Sequence, residues 1–137
     1  MKTIYSILAI LFLIPITGTL ANSDSGSDPK PSKIIVYYFH YERRCANCVA
    51  IEEVTRKTLQ EYYPTLVKKG TITFKSINMD EKSGENLADK LKVSGQSLLI
   101  IKDDEVKDLT EKGFLYARSS PEKLKADIKK EVDLLLK

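Results

Sequence analysis

The chain has 137 residues, 42% hydrophobic and 30% charged, with 22 Lys and Arg against 19 Asp and Glu. The formal net charge of +3 becomes +2 once Lys2 leaves with the N-terminal segment, and the signs are interspersed along the chain. That balance argues against a nucleic-acid partner.

Lys2 precedes an uncharged stretch from Thr3 to Ser23 whose apolar centre runs from Ile4 to Ile16. Thr19-Leu20-Ala21 then places small residues at the two positions that matter for cleavage, so residues 1–21 read as a secretory signal peptide. An uncleaved membrane anchor is the alternative, because the stretch is nearly long enough to span. Pro15, Gly18 and the polar residues that follow favour cleavage, and no cysteine lies near the apolar core to carry a lipid. The expected location is periplasmic or secreted, with membrane contact only in transit through the signal peptide. Residues 22–33 contain no apolar side chain and read as a flexible linker. Residues 34–137 are then a single domain, without internal repeats.

Within that domain, Lys33 to Phe39 is a continuous apolar run rich in Ile, Val and Tyr, which predicts a strand buried on both faces. Cys48, Ile51, Thr55, Leu59 and Tyr62 recur at helical spacing, with Glu52, Glu53, Arg56 and Lys57 mostly opposite. Pro64 and Gly70 close that region. Thr71 to Ile77 alternates as a second strand, and Asp80 or Ser83 is placed to cap a short helix carrying Leu87, Ala88 and Leu91. Ser97 to Ile101 is a third apolar strand, Lys102 to Glu105 a polar turn, and Glu105 to Leu109 an antiparallel return. Ser120-Pro121 opens a last helix with Leu124, Ile128, Val132 and Leu135 as its buried stripe. The order is βαβαββα, read as two right-handed crossover units followed by a hairpin and a covering helix.

The two cysteines stand together as Cys45-Ala46-Asn47-Cys48, between the first strand and the first helix. A C-x-x-C pair at such a turn brings two sulfurs within bonding reach, and the helix N-terminus beside it favours a thiolate. A purely structural disulfide is the duller reading, but so short a loop saves little chain entropy. Arg43 and Arg44 would stabilise a Cys45 thiolate and improve it as a leaving group, or stand only as solvated charges. His40, the single histidine, either ends the first strand or serves as the nearest general base. The tyrosines at 37, 38, 41, 62 and 63 read as core and flank.

This element order with C-x-x-C after the first strand resembles the thioredoxin fold, an α/β architecture with a mixed four-stranded sheet flanked by helices. The resemblance covers the whole of residues 34–137. It implies that Cys45 is the exposed nucleophile and Cys48 the buried resolving thiol. It also implies that the loop Val93 to Leu99 packs against the dithiol, with Gln96 and Ser97 in the substrate groove. Ser97 stands where thioredoxins carry a cis-proline, and the position of their buried acid falls near Phe39. Arg44 replaces the usual tryptophan, and no proline follows Cys48 to kink the helix. The stretch Tyr38 to Cys48, with Phe39-His40 and Arg44-Cys45-x-x-Cys48, followed by Ile51-Glu52, more closely resembles the ArsF-family thioredoxin-like subunits of a nitrophenyl-compound nitroreductase.

Three functions from different classes follow. The first is an exported thiol–disulfide oxidoreductase, a monomer without a cofactor, acting on a thiol- or disulfide-bearing protein or small molecule. The second is a soft-metal or metalloid binder using two close thiolates, although two Cys and one His are too few for a closed zinc site. The third is a non-catalytic subunit that keeps the fold and uses its groove for a partner.

Overall fold

A computed structural model describes residues 32–137. The expected signal peptide, and the linker up to residue 31, lie outside the described residues. Nine elements follow in order: β1 (Ile34–His40), α1 (Ala46–Tyr62), α2 (Pro64–Lys68), β2 (Ile72–Asn78), α3 (Lys82–Leu91), β3 (Ser97–Lys102), β4 (Glu105–Asp108), α4 (Thr110–Tyr116) and α5 (Pro121–Leu135).

The sheet order is β2-β1-β3-β4, so the apolar β1 lies in the interior and both its faces are covered. β1 pairs with β2 in parallel, Ile34 opposite Ile72 and His40 opposite Asn78. It pairs with β3 antiparallel, Phe39 opposite Ser97, and β3 pairs antiparallel with β4. Only the β1–α1–β2 connection is therefore a parallel crossover. The second crossover unit expected from the sequence is corrected: α3 returns the chain across β1 in the opposite direction. The result is a mixed sheet.

Alternation along β1 separates two cores. Ile34, Val36 and Tyr38 join Cys48, Ile51 and Leu59 of α1 and Leu124, Ile128 and Val132 of α5 in the larger one. Tyr37 and Phe39 face the other way and pack with Ala88 of α3 and Leu99 of β3. The α5 stripe is buried as its spacing requires, down to Leu135. Ser120 and Pro121 open that helix as expected, with Pro121 in the first turn, where its missing N–H costs nothing.

Local details differ from expectation for identifiable reasons. Tyr62 is 41% exposed, whereas Tyr63, just past the end of α1, turns inward. Its hydroxyl donates to Asp133 at 2.6 Å, with the Lys129 carbonyl 3.1 Å away, an anchor on α5 that no local periodicity encodes. Pro64 does not simply end the helical region but opens α2, and the turn then closes at Gly70 with φ +72°. Helix α3 is flanked by Glu81 without a side-chain cap. Asp80 instead accepts the Glu42 backbone N–H at 2.7 Å, and with the Met79 N–H donating to the His40 carbonyl at 2.8 Å it ties the β1–α1 loop to the β2–α3 loop. Gly84 lets α3 lie against β2, since a Cβ there would sit 1.9 Å from the Asn78 carbonyl oxygen. Helix α4 has no counterpart in the element order expected from the sequence. The hydroxyl of Thr110, its first residue, accepts the Leu98 N–H at 3.0 Å, joining the helix to the start of β3.

Candidate functional site

The dithiol lies where β1 ends and α1 begins. The helix starts earlier than the apolar spacing indicated, at Ala46, so Cys45 is its N-cap rather than a residue outside it. The Cys48 backbone N–H donates to Cys45 Sγ at 3.1 Å, which satisfies one of the free donors of the first turn. The two cysteines are joined as a disulfide with their Cα atoms 5.0 Å apart. Their surroundings differ sharply. Cys45 is exposed, whereas Cys48 is fully buried within the larger core beside Ile51.

Gln96, on the loop before β3, brings its side-chain Oε1 to 2.9 Å from Cys48 Sγ. With the disulfide closed, neither atom carries a hydrogen. On reduction the Cys48 thiol gains one and faces a ready acceptor. Ser97 begins β3, and its hydroxyl donates to the Gly95 carbonyl at 3.0 Å, which folds the loop back on itself. The Gln96–Ser97 bond is trans, as are all the described peptide bonds.

The arginines take separate positions. Arg43 is exposed, with no ion pair among the described residues. Arg44 turns away along the helix to form an ion pair with Glu52, which also accepts from Arg56 at 2.6 Å. The Arg44 guanidinium lies 5.8 Å from the centre of the Tyr38 ring, and Arg56 stacks over Phe74 at 4.8 Å. Glu52 is thus not on the solvated face expected from the helical spacing; its side chain is only 15% exposed. Burial pushes its carboxyl up, but hydrogen bonds from Arg44 and Arg56 outweigh this and hold its pKa below the ordinary value. The sequence did carry a signal: Glu52 stands four residues after Cys48 and four before Arg56, on the flank both share.

Beneath this cluster lies Tyr38, not Phe39. The sheet alternation turns Phe39 to the α3 side and leaves Tyr38 in the core that holds Cys48. The Tyr38 hydroxyl is buried with no hydrogen-bond partner among the described residues. Burial pushes its pKa up to about 12, with the Arg44 charge acting in the opposite direction. His40 is nearly buried and stacks on Tyr38 with ring centroids 5.8 Å apart. Its Nδ1 lies 2.9 Å from the Tyr41 carbonyl, so that nitrogen carries the hydrogen and donates. That contact fixes the end of β1; it does not join His40 to either sulfur. Among the described residues no three His, Cys, Asp or Glu side chains converge as a metal site.

No protein-family model matches the sequence, and no curated protein matches it. Solved structures do. Thioredoxin O2 from Arabidopsis thaliana, in its oxidised state, gives a TM-score of 0.51 at 24% identity, covering 72% of this chain and 75% of that one. A second structure, described as a malarial protein, gives a TM-score of 0.42 at 22% identity, covering 57% of this chain and 82% of that one. The likeness to thioredoxin O2, together with the mixed sheet and its flanking helices, establishes that this chain has a thioredoxin-like fold.

Proposed function

We propose that the protein is an exported thiol–disulfide oxidoreductase working through Cys45 and Cys48. The observation that carries this reading is the asymmetry of the pair: one sulfur exposed at a helix N-cap, the other buried one turn in. An inert structural bond needs no such difference, whereas stepwise exchange does. The Cys45 thiolate attacks one sulfur of a substrate disulfide, forming a mixed disulfide and releasing one substrate thiolate. The Cys48 thiolate then attacks Cys45 Sγ, closes the Cys45–Cys48 bond and releases the second thiolate. Two electrons pass to the substrate, and the two protons lost by the cysteines balance those taken up by its thiols. The reverse sequence oxidises a dithiol. The partner is a thiol- or disulfide-bearing protein or small molecule, met by a monomer in the periplasm or outside the cell, where such a bond persists.

A second reading follows from Gln96 and Ser97. A polar amide against Cys48 and a serine where the fold usually has a cis-proline suit a non-catalytic binding subunit of a redox complex, which expects an inert bond, in line with the resemblance to the ArsF-family nitroreductase subunits. Equilibration with glutathione separates the two. The oxidoreductase reading expects a reduction potential between about −270 and −120 mV and a stable glutathione adduct on Cys45 in Cys48→Ser. A potential below about −300 mV, with no adduct, marks an inert bond and refutes it.

A further inference from the structure

Arg44 directly precedes the exposed sulfur, yet its guanidinium is engaged elsewhere. The side chain runs back over the Tyr38 ring to Glu52, a residue eight positions further on and one helical turn beyond Cys48. The Glu52 carboxylate is shielded and receives both Arg44 and Arg56. The groups that face it are Arg44 from the loop, Arg56 from its own helix, Tyr38 from β1 and Ser76 from β2. Glu42, Arg43 and Arg44 precede Cys45 on the loop, which Asp80 holds through the Glu42 backbone N–H. The one hydrogen bond to Cys45 Sγ among the described residues comes from the Cys48 backbone, not from either arginine.

We infer that Glu52 is a positioning residue that holds Arg44 off the Cys45 sulfur, so that the acidity of Cys45 is set by the helix terminus and restrained from falling further. The inference rests on the oxidoreductase reading for its purpose but not for its test. With Glu52 in place, the Arg44 charge is neutralised by a carboxylate within contact distance, and its field at the sulfur is weakened accordingly. Loss of the carboxylate frees a cation one residue from the thiolate. The thiolate becomes more stable, the reduced form with it, and the couple more oxidising. Clamping Arg44 therefore keeps the pair more reducing than the bare sequence Arg44-Cys45 implies.

The test is the pH midpoint of Cys45 alkylation in the reduced full-length protein, read by peptide mapping, so it is measurable whether or not the protein exchanges with any substrate. In Glu52→Gln the midpoint should fall by about half a unit to one unit at low ionic strength and by less in high salt. In Arg44→Gln/Glu52→Gln, compared with Arg44→Gln alone, the shift should drop to less than half of that. Equal shifts in both backgrounds would mean that Glu52 acts directly through space and would overturn the clamp, as would no shift at all. Glu52→Asp serves if Glu52→Gln does not fold. It keeps the charge but retracts it by one methylene, so a fall in the midpoint supports the clamp and an unchanged midpoint refutes it. A merely structural salt bridge would lower the thermal midpoint in these variants and leave the Cys45 midpoint where it was.

Discussion

The sharpest consequence of the site geometry concerns the two sulfurs after reduction. In Cys48→Ser the remaining thiol is the N-cap of α1, exposed and facing the N–H of residue 48. The partial positive charge of a helix N-terminus stabilises an anion by about 0.3–1 kcal/mol, and by up to ~2 kcal/mol in partly buried geometries. Cys45 is exposed, so the lower range applies, and because one pKa unit corresponds to about 1.4 kcal/mol its thiol should titrate below a free cysteine by less than about one unit. In Cys45→Ser the remaining thiol is fully buried among Tyr38, Ile51 and Leu98 in an apolar core. Reagent reaches it only through local opening, and an opening that costs even ~2 kcal/mol slows labelling about thirtyfold.

The assay is iodoacetamide alkylation of the two single-thiol variants across pH, with mass-spectrometric readout. At neutral pH, Cys45 should label at least about thirtyfold faster than Cys48. Labelling of Cys48 within threefold of Cys45 would show that the start of α1 opens freely and that burial does not separate the roles. A Cys45 midpoint at or above that of a free cysteine would show that the N-cap contact does not survive reduction.

Three further outcomes test the frame that holds the site. Ile128 is fully buried on α5, so Ile128→Ala should cost about 2–5 kcal/mol by urea unfolding. Gly84→Ala should destabilise by about 1–3 kcal/mol, because its Cβ meets the Asn78 carbonyl, while Gly95→Ala, with nothing within 4 Å of the new atom, should change stability by less than about 0.5 kcal/mol. Asp133 is held below its ordinary pKa of 3.8, first by the hydrogen bond from Lys129 and then by that from Tyr63. A depressed carboxylate contributes stability that is present above its unfolded pKa and lost as pH falls through the folded one, so Asp133→Asn should flatten the loss of stability below about pH 4.

The strands and the last helix were legible because each is set by a pattern within one segment. Ile34 to Phe39 has no polar residue to expose, and Leu124, Ile128, Val132 and Leu135 share one helical face. What escaped depends on partners distant in sequence. The helices α2 and α4 span five and seven residues, too short to be stable alone, so their existence rests on packing against α1, β2 and β3. The antiparallel entry of β3 is invisible locally, since an apolar run reads alike in either direction. Tyr63 turns inward to meet Asp133, which lies 70 residues away. Asp80 stabilises a loop 38 residues earlier rather than capping α3.

The candidate site divides along the same line. The Cys45–Cys48 spacing and the turn that carries it were readable because both belong to one continuous segment. The electrostatics were not, because a charge acts by where its side chain ends. Arg44 stands beside Cys45 in sequence, yet its long side chain finds a shielded carboxylate on the helix and an aromatic face beneath it. A solvated arginine would be free to approach a Cys45 thiolate on reduction; one already paired with a carboxylate at contact distance is held to it, since that pair loses less to screening than an exposed charge near an exposed sulfur. The backbone N–H of Cys48 has no such choice, for the helix fixes its direction. Of the two influences that adjacency suggests for Cys45, the rigid one remains at the sulfur and the flexible one is drawn off. In a site of this kind, the chemistry follows the groups that the fold cannot turn away.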